Sequence, residues 1–84
     1  MAERPPTFTQ HAETMLQERD IKREWVELTV TNPDTVEPDP IRPDVWRAFR
    51  AIPERAGRVL RVAYVQTGET VRIVTAFFDR RRRR

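Results

Sequence analysis

Apolar residues first become periodic at Phe8. Phe8, Ala12 and Leu16, with Met15 beside the last, recur on one helical face, which predicts a first helix from about Gln10 to Arg19. The Thr9 hydroxyl is placed to cap its start. Ahead of it, Pro5 and Pro6 exclude helix, so residues 1–7 read as a loose arm. The next segment, Lys22 to Thr31, fits two patterns. Ile21, Trp25 and Leu28 repeat at helical spacing, while Val26, Leu28 and Val30 alternate as in a strand. Asn32-Pro33 ends either one.

The rest of the chain reads as strand. Four prolines between positions 33 and 43 leave room only for a short edge strand around Thr35 to Glu37. Three longer candidates follow: Val45 to Ile52, Arg58 to Gln66, and Thr70 to Phe78. The only glycines, Gly57 and Gly68, fall in the turns between them. Gly68 is free to take positive φ in a tight hairpin. The expected architecture is α+β: two N-terminal helices packed on one face of a four-stranded antiparallel sheet, the other face partly open. Residues 8–79 would form the domain and residues 80–84 a basic tail.

The hairpin register decides which side chains meet. With Thr67 and Gly68 as the loop, Ala63 faces Arg72, and Arg61 shares their face. Leu60, Val62, Tyr64, Val71, Ile73, Thr75 and Phe77 then line the other face as a core. Adding Glu69 to the loop shifts the partnership by one and mixes the faces. The first register gives the better core. Arg47 and Arg50 on the preceding strand point to opposite faces, so only one of them joins Arg61.

Composition narrows the chemistry. A chain of 84 residues makes one domain, which buries roughly 60–65% of its unfolded surface. Without cysteine and with one histidine, the usual zinc sites are excluded. The acidic loop of Asp34, Glu37, Asp39 and Asp44 lacks calcium-loop spacing. Two isolated glycines make no phosphate loop, and the absence of serine removes the serine triad. No metal and no cofactor are expected. No apolar run follows the N-terminus or approaches the roughly 20 residues of a membrane span. A cytoplasmic bacterial protein, not bound to membrane, is the expectation.

Charge is uneven. The first 42 residues carry five basic and nine acidic side chains, the last 42 eleven and four. Five consecutive arginines close the chain, and 15 of the 16 basic residues are arginine. Such polarity suits a polyanion or an acidic partner. The run itself reads as disordered through self-repulsion, adding salt-sensitive affinity through Arg80 and Arg81.

Arginines fixed on an open sheet suit phosphate, because each planar fork holds two oxygens. Metal-free RNA cleavage needs a base, a cation and an acid around the phosphate. His11 is the one side chain with a reference pKa near neutrality. It is the candidate acid or base, with Arg61 and Arg72 as a phosphate clamp, Arg47 as a further contact, and Tyr64 and Thr75 as orienting groups. The competing reading is a non-catalytic module that binds RNA or a protein through the same basic face.

Phe8-Thr9-Gln10-His11-Ala12, Leu16, Glu18-Arg19-Asp20-Ile21 and Val26 to Asn32-Pro33, with Arg61-Val62 and Thr75 later, resemble one prokaryotic family. It is the domain-of-unknown-function family four-two-five-eight, over about residues 8 to 78. That family is similar in turn to the BrnT and RelE ribonuclease toxins of toxin–antitoxin systems. The resemblance implies a helix over Lys22 to Thr31, a RelE/BrnT-like fold, and an RNA-cleaving site of His11, Arg61 and Thr75. It also implies an antitoxin partner. The chain itself is expected to be a monomer or weak homodimer.

Overall fold

Thr9 starts the first helix as expected. Its hydroxyl accepts a hydrogen bond from the Ala12 backbone N–H at 3.0 Å, which satisfies one of the helix's free donors. The computed structural model describes residues 5–83, and in it this helix, α1, spans Gln10–Glu18. It ends in a Schellman turn: the Ile21 N–H reaches back to the Leu16 carbonyl at 2.9 Å, and the Asp20 N–H to Gln17 at 3.4 Å. Asp20 takes the left-handed conformation that glycine usually supplies there, φ 55°. Ile21 and Leu16 join the same buried cluster, the apolar contact that accompanies this turn.

The ambiguous segment is helical. α2 spans Arg23–Thr31 and buries Trp25, Val26 and Thr29. The Thr29 hydroxyl is satisfied by the Trp25 carbonyl at 2.7 Å. Arg50 reaches the last turn from the sheet and donates to the Asn32 carbonyl at 2.6 Å. This places a cation at the negative end of the helix dipole.

Among the described residues five strands, not four, make the sheet: β1 (Thr7–Phe8), β2 (Thr35–Pro38), β3 (Trp46–Ile52), β4 (Arg58–Thr67) and β5 (Thr70–Arg83). Their order is β1-β5-β4-β3-β2, and β1 pairs parallel to β5, so the sheet is mixed. The expected arm thus loses Thr7 to a strand, while residues 1–4 lie outside the described residues. The cause is tertiary. The Thr9 N–H donates to the Ile73 carbonyl at 3.0 Å, and the Thr9 hydroxyl to Val74 at 3.3 Å. A two-residue strand has no period to be read by.

The hairpin between β4 and β5 corrects the register. Thr67 pairs with Thr70, so the loop is Gly68-Glu69, with Gly68 at φ 61°. Glycine with positive φ at the first loop position fits the II′ turn, whose twist matches the strands. Arg72 therefore faces Val65 rather than Ala63. One residue later Tyr64 pairs with Ile73 but Ala63 with Thr75, leaving Val74 as an extra, bulged residue. Beyond the bulge every β5 side chain changes face. Ala76 and Phe78, not Thr75 and Phe77, pack with Leu60 and Val62 toward the helices.

The main core lies between the helices and this sheet face. It joins Ala12, Leu16, Ile21, Trp25 and Val26 with Ala48, Ile52, Leu60, Val62, Tyr64, Ile73 and Ala76. Trp25 and Phe78 meet edge to face at 6.2 Å. Among the described residues, the other face carries no helix. β5 also outruns its expected end at Phe78. Asp79 still pairs with Val59, the next ladder pair is Arg58 with Arg83, and Arg80 to Arg82 bulge out between them. The basic run is thus a continuation of the sheet through Arg83, with Arg84 outside the described residues. Among the described residues, no helix is long and apolar enough to cross a membrane.

Candidate nucleic-acid interface

Strand alternation sets the helix-free face. Residues 48 and 52 of β3 and 60, 62 and 64 of β4 point to the core, so their odd-numbered neighbours point away. Ladder pairing lines these up in rows. One row runs Thr35, Phe49, Arg61, Phe77 across β2, β3, β4 and β5. The next runs Glu37, Arg47, Ala63, Thr75. An arginine therefore stands between two phenylalanines, with a second arginine diagonal to it beside the small Ala63.

Contacts within the face are aromatic and ionic. The Arg61 guanidinium lies over the Phe77 ring at 4.6 Å, and one of its nitrogens is 3.5 Å from Asp79. Arg47 is 3.3 Å from Asp39. Arg82 lies over the Phe49 ring at 3.7 Å and pairs with Glu37 at 2.7 Å. Asp79 also accepts from the Arg81 N–H at 2.9 Å. Burial, followed by the charge of Arg47, holds the Arg61 guanidinium below its usual range, with Asp79 and Asp39 opposing. Arg47 and Arg61 are thus close enough to repel one another, and a phosphate between them would relieve that repulsion.

The expected site residues divide between the two sides of the sheet. Arg61, Arg47, Thr75 and Arg72 share the helix-free face. Arg72, opposite Val65, stands four β4 positions from Arg61, about 13 Å along the strand. That is too far for a common clamp; the arginine diagonal to Arg61 is Arg47. Tyr64 points to the core at 9% exposure, and burial pushes its hydroxyl pKa up. His11 is exposed on α1, whose Ala12 and Leu16 pack against the helix-bearing face. The sheet therefore stands between the helix of His11 and the side chain of Arg61. Arg80 and Arg81 are exposed.

Phe49, Phe77, Glu37, Asp39, Asp79 and Arg82 also belong to this face, though none is a site residue expected from the sequence. Alternation in Trp46–Ile52 held the signal for Phe49, since a phenylalanine two residues from Arg47 shares its face. Phe77 was hidden by the Val74 bulge, and Arg82 by the reading of its run as tail. Among the described residues, no group of three histidine, aspartate or glutamate side chains is placed to hold a metal ion.

The chain belongs to the family described as "Domain of unknown function (DUF4258)", whose model matches residues 8–78. No curated protein and no solved structure matches it.

Proposed function

We propose that the chain is a non-catalytic binding module whose helix-free sheet face engages single-stranded RNA. The observation that carries this reading is the register of Phe49, Arg61 and Phe77 in one row across three adjacent strands. Single-stranded RNA is held by aromatic faces for its bases and by guanidinium groups for its phosphates. Arg47 and Arg61 would take a phosphate beside Ala63, and Arg80 and Arg81 would add sequence-independent affinity. The resemblance of the sequence motifs to the BrnT and RelE toxins favours RNA as the ligand class, and a RelE/BrnT-like fold is part of the same proposal. A toxin ribonuclease under antitoxin control would need His11, Arg61, Tyr64 and Thr75 around one phosphate. Two of these share the face and two do not, which puts binding ahead of cleavage.

Fluorescence anisotropy with a labelled oligouridylate, repeated across a salt series, tests the reading. Arg47→Ala and Arg61→Ala should each lower the magnitude of the log–log salt slope by about 0.7. Phe77→Ala should weaken binding by about 1–3 kcal/mol. Absence of binding at low salt, or indifference to Phe77 and Arg61, refutes it. New RNA ends that disappear with His11→Ala would return the cleavage reading to first place.

A further inference from the structure

Phe49 is only 2% exposed, yet its side of the sheet carries no helix. The group over its ring is Arg82, at 3.7 Å, and the same guanidinium meets Glu37 at 2.7 Å. Arg82 lies in the bulged end of β5, whereas Phe49 lies two strands away on β3 and Glu37 three strands away on β2. The chain covers that distance through the Arg80–Arg82 bulge, anchored at its root by the Asp79 carboxylate on the Arg81 N–H. A segment of consecutive arginines should repel itself and stay in water. Here one of them crosses a sheet to a ring and a carboxylate.

Ring and carboxylate together are what a guanidinium needs. The flat cation lies on the negative face of the ring while its edge donates to the acid. We infer that Glu37 and Phe49 form a guanidinium-binding site, filled from within the chain by Arg82, which makes the arginine run a strap over the helix-free face. At 3.7 Å the guanidinium is in van der Waals contact with the ring. A base and Arg82 therefore cannot stack on that side of Phe49 together. This gating role rests on the binding reading above. A single-stranded nucleic acid displaces the strap with both of its parts: phosphates draw the arginines off the face, and a base takes the vacated ring. A polyanion without bases loosens the strap and gains nothing from Phe49.

The full chain with Glu37→Gln is compared with Glu69→Gln, which makes the same charge change on the exposed hairpin loop. Without ligand, trypsin cleavage within residues 80–84 is followed by mass spectrometry. Glu37→Gln should speed it about 3-fold, the size expected from losing one partly exposed ion pair, and Glu69→Gln should not. With ligand, binding of an oligouridylate is compared with that of an abasic oligomer of equal length. Glu37→Gln should raise the preference for bases about 3-fold, and Glu69→Gln should leave it unchanged. Equal tail cleavage in the two variants overturns the strap. Faster tail cleavage with an unchanged base preference overturns the gating. Faster tail cleavage in a protein that binds no oligomer leaves the guanidinium site standing and removes the RNA-binding reading.

Discussion

Deleting Val74 should be far less harmful than deleting Ala76, two residues further along the same strand. Val74 is the residue that the ladder skips: Ile73 pairs with Tyr64 and Thr75 with Ala63. Its removal lets β5 run straight, with Ala76 and Phe78 still toward the helices and Phe77 and Asp79 still away from them. The losses are local. The bond from the Thr9 hydroxyl to the Val74 carbonyl, long at 3.3 Å, contributes about 0.5–1 kcal/mol. The half-buried valine contributes about 1 kcal/mol more. Deleting Ala76 shifts everything beyond it by one position. Phe77 then falls opposite the fully buried Val62, and Asp79 opposite the fully buried Leu60. Phe78 leaves the core, costing about 1.5–3 kcal/mol. An aspartate entering apolar surroundings without a partner costs several more. The sum approaches the whole stability of a domain this size, on the order of 4–12 kcal/mol. Urea titration followed by circular dichroism gives the comparison. Val74 deletion should keep a cooperative transition with a lower midpoint, and Ala76 deletion should leave little or no folded baseline. Equal damage from the two deletions would show that Val74 is an ordinary ladder residue and that the face assignments of Thr75, Phe77 and Asp79 are wrong.

Ala56 sits at φ 57° without being glycine, so Ala56→Gly should relieve more strain than it adds in unfolded-chain entropy. The expected gain is about 0.5–1 kcal/mol, read as a melting temperature raised by about 2–8 °C. In Asp39, backbone N–H groups, Arg42 first and then Ile41, hold the carboxyl below its usual pKa, with Arg47 assisting and slight desolvation opposing. The unfolded chain is then the first to take up a proton as acid is added. Asp39's contribution is full above about pH 4 and is lost as pH falls through the folded pKa. Asp39→Asn should therefore flatten the urea midpoint against pH in that acid range. Tyr64 gives the opposite limb. Burial raises its hydroxyl pKa, so stability is full below about pH 10 and falls as pH rises through the folded value. Tyr64→Phe should abolish that alkaline decline.

Three arginines of the helix-free face already hold a carboxylate: Arg47 with Asp39, Arg61 with Asp79, Arg82 with Glu37. Under the proposed function, binding a phosphate there would be an exchange of partners rather than the capture of a free anion. Such an exchange tempers affinity and favours a ligand that offers several phosphates together with bases.

Local chemistry alone set several features. The Thr9 cap needs only one hydroxyl and the helix behind it. The hairpin needs only Gly68 between two alternating runs, and those runs place Leu60, Val62 and Tyr64 together because period two has no other solution. The two orientations of Arg47 and Arg50 follow in the same way. Family likeness, not periodicity, favours helix over Lys22 to Thr31; the fold makes that helix worthwhile by burying Trp25 and Val26 in the cluster between the helices and the sheet.

Tertiary structure decided the rest. Val74 looks like any strand valine, but the ladder passes it by, and that one skipped residue moves Phe77 to the helix-free face and Phe78 into the core. β1 exists because Thr9 fastens the chain entry to β5, a contact across more than sixty residues. Arg47 rather than Arg72 stands near Arg61 because distance across a sheet depends on register, which alternation leaves free in steps of two. Self-repulsion is all that five arginines in a row express on their own. Only the folded sheet presents Phe49 and Glu37 to one of them, and that meeting turns a tail into part of the face.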